Sequence, residues 1–256
     1  MTPTRFPAAR GNCSPPPQIA IADAADFKKS TPRRQTQRMA SASATHKVCV
    51  TGANGFIGSW LVRSLLDRGY AVNGTYQRGT NTSHLFLLPG SHAHLSLFEA
   101  DLLDPQALQA AISGCAGVFH VASPCSLADP RDPQLELILP AVQGTLNVLE
   151  AAKASNVSRV VLTSSISALV PNPSWPHDKA PIDENSWTDL EYCTSHQKWY
   201  PVSKTLAEKA AWDYAKKHSL DIVAINPSTV LGPLLQPGLN ASSANNLGYP
   251  NRGIML

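Results

Sequence analysis

Tyr200 and Lys204 stand four residues apart in the segment KWYPVSK, and on a helix that spacing puts both side chains on one face. A phenol, with a reference pKa of roughly 10, is a poor acid–base group near neutrality. An ammonium one turn away favours the phenolate and lowers that value, which makes proton exchange with a bound substrate feasible. An isolated Tyr–Lys pair is more often a surface or packing pair, so the reading depends on its company. Thr163-Ser164-Ser165 ends an apolar run and supplies hydroxyls that can donate to an oxygen on which negative charge develops. Thr51-Gly52-Ala53-Asn54-Gly55-Phe56-Ile57-Gly58 supplies a different chemistry. Gly52 permits a tight turn, Gly55 lets the backbone approach a phosphate, and Gly58 lets a helix pack closely on the preceding strand. The first turn of that helix then offers unpaired N–H groups to an anion such as a pyrophosphate.

These residues need strands and helices to position them, and the chain from Lys47 onward alternates the two. Apolar runs at Val48–Thr51, Ala71–Tyr76, Leu95–Ala100, Val118–Ala122, Arg159–Thr163 and Asp221–Asn226 read as six strands. Helical periodicity runs from Phe56 to Asp67, closing at Arg68-Gly69 with a basic residue and a cap glycine. Asp104-Pro105 opens a helix as an N-cap followed by proline, and Gly114 ends it. Residues 134–154 form a long amphipathic helix in which Pro140 predicts a kink or a later start, and Gln197–His218 forms another. Strands buried on both faces are continuously apolar rather than alternating, as these are. The fold class is therefore α/β, a doubly wound parallel sheet of the Rossmann type. In it both the glycine turn and the Ser/Tyr/Lys residues reach the carboxyl edge of the sheet, where ligands bind.

The spacing TGxxGxxG, together with VCVTGANGFIGSWLV, ADLLD, GVFHVASP, VVLTSS, WYPVSKTLAEKAAW and INPSTVLGP, resembles the extended short-chain dehydrogenase/reductase family from about Lys47 to Ser243. Within it the blocks are most similar to the plant dihydroflavonol 4-reductase and cinnamoyl-CoA reductase branch of the NAD-dependent epimerase/dehydratase superfamily. Several roles follow from the resemblance. Ser165 faces the substrate, with Ser164 as its rival. Tyr200 donates the proton, and Lys204 both lowers the tyrosine pKa and reaches the nicotinamide ribose. Thr51, Gly52, Ala53, Gly55, Phe56, Ile57 and Gly58 hold the dinucleotide. Asp101 and Leu102 flank the adenine, and Val121, Ala122 and Ser123 line the cofactor beneath the fourth strand. Pro227 and Val230, in Asn226-Pro-Ser-Thr-Val230, pack beside the nicotinamide, although Asn226-Pro227 could equally be a strand-end turn. The implied reaction is reversible hydride transfer, in which a carbonyl becomes an alcohol.

Cofactor choice is read after the second strand. An acid there would bind a ribose 2′-hydroxyl and favour NAD, whereas an arginine would meet the 2′-phosphate of NADP. This chain has Thr75-Tyr76-Gln77-Arg78, with no acid; the related branch usually carries arginine at the position of Gln77. NADP is the expectation, with Arg78 as the substitute one residue later. Cinnamoyl-CoA reductases typically show NWYCYGK where this chain has KWYPVSK. That ranks an aldehyde, ketone or flavanonol-like substrate above a CoA thioester, with sugar-nucleotide epimerisation, or a truncated and catalytically impaired NAD(P)-binding protein, as further alternatives.

Composition sets the remaining bounds. The chain has 256 residues, 43% hydrophobic and 15% charged, enough to fill a core. Residues 1–46 carry seven Lys/Arg against Asp23 and Asp26, a charge of +5, and the other 210 residues carry −2. The folded part has no basic footprint for nucleic acid. No run of 18 apolar residues marks a membrane span. The eight histidines show no metal-ligand spacing, so no metal is expected. Cys13, Cys49, Cys115, Cys125 and Cys193 form an odd set without CxxC, which reads as reduced thiols, Cys49 packing as a small hydrophobe. A cytoplasmic monomer acting on a small-molecule carbonyl is the expectation. Residues 1–45, with six prolines and no period, read as a disordered extension, either dispensable or a targeting leader. Residues 46–235 read as the nucleotide-binding domain, and 236–256 as the remnant of a smaller, incomplete substrate lobe. A shortened lobe should leave apolar surface exposed on the substrate side.

Overall fold

The computed structural model describes residues 46–124, 130–176 and 181–239. Contacts divide the chain into Met1–Ser43 and Ala44–Leu256, and every described residue lies in the second unit. The expected extension over 1–45 and most of the expected lobe remnant, from residue 240 on, lie outside the described residues.

Strands β1 (Lys47–Thr51), β2 (Ala71–Tyr76), β3 (Leu95–Glu99), β4 (Gly117–His120), β5 (Arg159–Thr163) and β6 (Ile222–Ile225) form one sheet in the order β3-β2-β1-β4-β5-β6. Every neighbouring pair is parallel. The order reverses between β1 and β4, which opens a crevice beyond their carboxyl ends. Helices α1 (Phe56–Asp67), α2 (Ser91–His94), α3 (Pro105–Ile112), α4 (Leu139–Ala154), α5 (Leu190–Ser195) and α6 (Trp199–His218) supply the layers.

Side-chain alternation decides which layer each strand meets. Cys49, Val118, Val160, Leu162 and Ile222 point into one core with Leu108, Ile112, Val148, Leu149 and Ala211 from α3, α4 and α6. Val48, Val50 and Val72 point the other way, against Val62, Leu65 and Leu66 of α1. On that second face β6 has no covering helix among the described residues. Val223 is 39% exposed and Ile225 51%.

Local chemistry explains where elements start and stop. Gly69, at φ +80°, follows the Arg68 cap and ends α1. The Asp104 carboxylate accepts from the N–H groups of Gln106 (3.0 Å) and Ala107 (3.1 Å), capping α3 ahead of Pro105. Pro140 has no N–H to give to the carbonyl of Glu136. The chain answers with a π turn over Gln134–Ile138 and begins the regular α4 at Leu139. Gln197 is left-handed at φ +54°, which delays α6 to Trp199. Strand β4 ends at His120, two residues sooner than the apolar run suggests. The N–H groups of Val121 and Ala122 both turn to the Thr51 hydroxyl, 3.0 Å away in each case, instead of to a neighbouring strand.

Candidate active site

Two constructions meet at the carboxyl edge. The first is the turn between β1 and α1. Gly52 sits at φ +66°, its N–H directed at the Thr75 hydroxyl (3.2 Å) at the end of β2, and Gly55 N–H closes onto Gly52 O (3.1 Å). A Cβ at Gly58 would lie 2.1 Å from Gly52 O, so helix and turn touch as only glycine allows. α1 has no side-chain cap at Gly55 and no acid in its first turn. Its leading N–H groups, with the helix dipole behind them, form a cradle that fits a diphosphate.

Thr51 fastens this turn to β4. Its hydroxyl accepts two N–H bonds, so its own proton goes to His120 Nδ1, 2.9 Å away. On the other side of the ring, Nε2 lies 3.3 Å from the Thr145 hydroxyl of α4, which donates its proton to Ala141 O (2.8 Å) and therefore accepts from Nε2–H. The network admits only the neutral tautomer protonated on Nε2. Burial, with the Lys204 charge second, pushes the His120 pKa down to about 3.

The second construction joins β5, β6 and α6. Lys204, buried at 5% exposure, donates from Nζ to Thr163 O at 3.1 Å, which brings the middle of α6 to the end of β5. Tyr200 lies one turn earlier on the same helix and is half-buried. The two serines part company here. Ser164 Oγ donates to the buried Glu208 carboxylate at 2.5 Å. Ser165 Oγ accepts from Ser167 N–H (3.1 Å) at the start of a 3-10 turn, Ile166–Ala168, which leaves its proton to donate. Asn226, just past β6, donates from Nδ2 to both Glu208 Oε2 (2.8 Å) and Ser165 O (3.1 Å), and Pro227 O accepts from Ile166 N–H (2.9 Å). Asn226 is thus a cross-strand tie as well as a turn residue. From sequence Asn226 read as part of the segment beside the nicotinamide or as a strand-end turn, not as this tie, and Glu208 was not a candidate, although it falls one turn beyond Lys204 in the same i, i+4 series.

The other sequence candidates fall in several places. Val121 and Ala122 follow β4 and approach the turn so closely that a Cβ on Gly52 would lie 3.1 Å from Ala122 Cα. Ser123 comes next, partly exposed. Ala53 is fully buried, its N–H on Thr75 O at 2.8 Å. Phe56, Ile57 and Val230 line one cavity of about 470 Å³, whose lining includes neither Ser165, Tyr200 nor Lys204. Asp101 accepts from Gln77 Nε2 (3.1 Å) and Leu103 N–H (2.8 Å) at the rim, whereas Leu102 packs inward against Gly144 of α4. Gln77 and Arg78 lie beyond β2 in a turn closed by Thr80 N–H on Gln77 O (3.1 Å), so strand parity does not govern where Arg78 points. The Arg78 side chain, 89% exposed, pairs with Glu99 at 2.9 Å. In the proline-rich segment from Val170 to Asn185, Asn172 Nδ2 donates to Trp187 O (2.9 Å); residues 177–180 lie outside the described residues.

Cys49, Cys115 and Cys193 are buried and unpaired, and burial pushes the thiol pKa of each upward, the mark of packing rather than reactive cysteines. Cys13 and Cys125 lie outside the described residues. Among the described residues no cluster of His, Cys, Asp and Glu is arranged to hold a metal, and no helix is long and apolar enough to cross a membrane.

A family model described as "NAD dependent epimerase/dehydratase family" matches residues 48–245. Cinnamoyl-CoA reductase CAD2 of Medicago truncatula is 48% identical over 217 residues, covering 83% of this chain and 66% of that protein. A bifunctional dihydroflavonol 4-reductase/flavanone 4-reductase of Pyrus communis is 45% identical over 212 residues, covering 80% and 60%. Among solved structures, the yeast methylglyoxal/isovaleraldehyde reductase Gre2 complexed with NADPH superposes with a TM-score of 0.64 at 33% identity, covering 73% of this chain and 59% of that one. The chain thus spans roughly three-fifths to two-thirds of the length of the proteins it matches.

Proposed function

The chain belongs to the NAD dependent epimerase/dehydratase family, and on that premise we propose that it is an NADPH-dependent reductase converting a small-molecule carbonyl to an alcohol. The observation that carries the reading is the convergence of an uncapped, glycine-lined helix N-terminus with Ser165, Tyr200 and Lys204 at one sheet edge. We assign residues 46–235 to nucleotide binding and 236–256 to the remnant of a substrate lobe or a divergent tail.

The glycine turn and the first N–H groups of α1 would hold the diphosphate, and Arg78 the 2′-phosphate of NADP, in exchange for Glu99. That exchange is inexpensive, since an exposed ion pair is worth about 0–1 kcal/mol. When bound, the reduced nicotinamide supplies the hydride that adds to the carbonyl carbon. Ser165 donates from Oγ to the carbonyl oxygen and stabilises the charge that grows there. Tyr200 delivers the proton to that oxygen. Lys204, held by Thr163 O, keeps a positive charge one helical turn from the phenol and eases its deprotonation. His120, kept neutral by its two threonines, adds no second charge beside Lys204.

The substrate class we favour is an aromatic aldehyde, ketone or flavanonol-like carbonyl, because Pro201-Val202-Ser203 stands where cinnamoyl-CoA reductases carry a different sequence. A second reading, reduction of a CoA thioester, draws on the 48% identity to a cinnamoyl-CoA reductase. Loss of nicotinamide absorbance with aromatic aldehydes, flavanonols and cinnamoyl-CoA as alternative substrates separates the two. The favoured reading fails if only the thioester is reduced, and both fail if NADPH binds and nothing is reduced.

A further inference from the structure

One buried polar construction at the sheet edge is built around a side chain to which the proposed reaction assigns no role. Glu208 lies two turns beyond Tyr200 and one beyond Lys204, on the same face of α6, and is 4% exposed. A buried carboxylate is costly unless donors surround it. Here three donors do: Ser164 Oγ at 2.5 Å, Asn226 Nδ2 at 2.8 Å and Trp212 Nε1 at 3.2 Å. They come from the end of β5, the end of β6 and α6 itself. All three are donors, which matches a carboxylate that only accepts.

The consequence for Ser165 is geometric. Its neighbour Ser164 is anchored by its side chain to Glu208 and by its N–H to Ile225 O (2.8 Å). Its own carbonyl is held by Asn226, the side chain that also grips Glu208. With residue 164 tied inward, residue 165 projects the other way along the extended backbone (φ −163°, ψ 153°), toward the edge. The carboxylate therefore sets which serine is presented, on the helix that carries Tyr200 and Lys204.

We infer that Glu208 is a positioning residue, which, through Ser164 and Asn226, fixes the Ser165 hydroxyl relative to Tyr200 and Lys204. The inference rests on the reductase reading for its catalytic meaning, while its structural content is measurable without turnover. A misplacement of about 1 Å in a reacting constellation can cost on the order of a hundredfold in rate.

The test uses Glu208→Ala, Glu208→Gln, Ser165→Ala and the double variant. Amide exchange at Ile166 and Ser167 is expected to speed up roughly tenfold in Glu208→Ala relative to Val50 in β1, and to stay near wild type in Glu208→Gln, which keeps an acceptor oxygen. In turnover, Glu208→Ala is expected to lower kcat about tenfold or more with NADPH affinity unchanged, Glu208→Gln recovering most of the loss. In the Ser165→Ala background the same change should cost less than about twofold, because the group being positioned is gone. Equal exchange at Ile166, Ser167 and Val50 in Glu208→Ala overturns the inference, as does a full multiplicative loss in the double variant. Should Glu208→Ala fail to fold, Asn226→Ala cuts the link to Ser165 O while leaving Ser164 and Trp212 on the carboxylate, and it is held to the same outcomes. If the wild type turns over nothing, the reductase reading falls, and the exchange data alone decide whether Glu208 holds the Ser165 turn.

Discussion

Replacing Gly58 by alanine adds one methyl group at the most crowded glycine among the described residues. The new Cβ would lie 2.1 Å from Gly52 O, 2.9 Å from Gly52 C and 3.0 Å from Ala53 Cα. None of these atoms belongs to a side chain that can swing aside. To reach an ordinary contact of roughly 3.4–3.5 Å, the turn and α1 must separate by more than 1 Å. Forcing a methyl into packed backbone costs about 1–3 kcal/mol. The same movement pulls the leading N–H groups of α1 out of register with Gly52 and Gly55, so the loss falls on ligand affinity as well as stability. At 1.4 kcal/mol per factor of ten, NADPH binding should weaken roughly 10–100-fold. Gly69→Ala is the control. Gly69 is also a helix-flanking glycine, at φ +80°, but a Cβ there meets nothing within 4 Å. Only left-handed strain of about 1–2 kcal/mol applies, and affinity should be unchanged. Fluorescence titration of NADPH, with a melting curve for each variant, gives both quantities. A Gly58→Ala protein that binds NADPH within about twofold of wild type and melts at the wild-type temperature would refute the cradle argument.

Other expectations follow from the same geometry. Burial holds the His120 pKa down to about 3, while an unfolded histidine accepts a proton near the ordinary value of about 6.5. Its contribution is whole above that value and is lost as pH falls, by up to about 1.4 kcal/mol per unit. Urea midpoints from pH 7 to 5 should fall less steeply in His120→Asn than in wild type; parallel curves would contradict the assignment. Thr51→Val strands the N–H groups of Val121 and Ala122 and the acceptor Nδ1 of His120, and should cost about 2–4 kcal/mol by chemical denaturation. Glu99→Gln releases Arg78 and should raise the calorimetric preference for NADPH over NADH, while Arg78→Ala should erase it; an unchanged ratio in both shows that the 2′-phosphate is met elsewhere.

The strands and the first helix were legible because their signals are local. β2, β5 and α1 occupy Ala71–Tyr76, Arg159–Thr163 and Phe56–Asp67, the ranges that apolar runs and flanking glycines mark out. The Tyr–Lys pair was legible for the same reason, its spacing being a property of one helix. What escaped depends on contacts between distant segments. The early end of β4 is decided by a hydroxyl from residue 51. The short helices α2 and α5 have too few turns to show a period. The inward turn of the Ser164 hydroxyl is made by Glu208, 44 residues away in sequence. The direction of Arg78 is set by a turn closed by Thr80 N–H on Gln77 O, past the end of β2.

The central claim is that Tyr200 supplies the proton while the glycine turn and Lys204 hold the cofactor. Tyr200→Phe, assayed for both NADPH affinity and NADPH oxidation in the presence of an aromatic aldehyde or a flavanonol, tests it most directly. Affinity should stay within about threefold of wild type while turnover falls on the order of 10²–10⁴-fold, the usual worth of a positioned proton donor. Wild-type turnover in Tyr200→Phe would contradict the assignment outright.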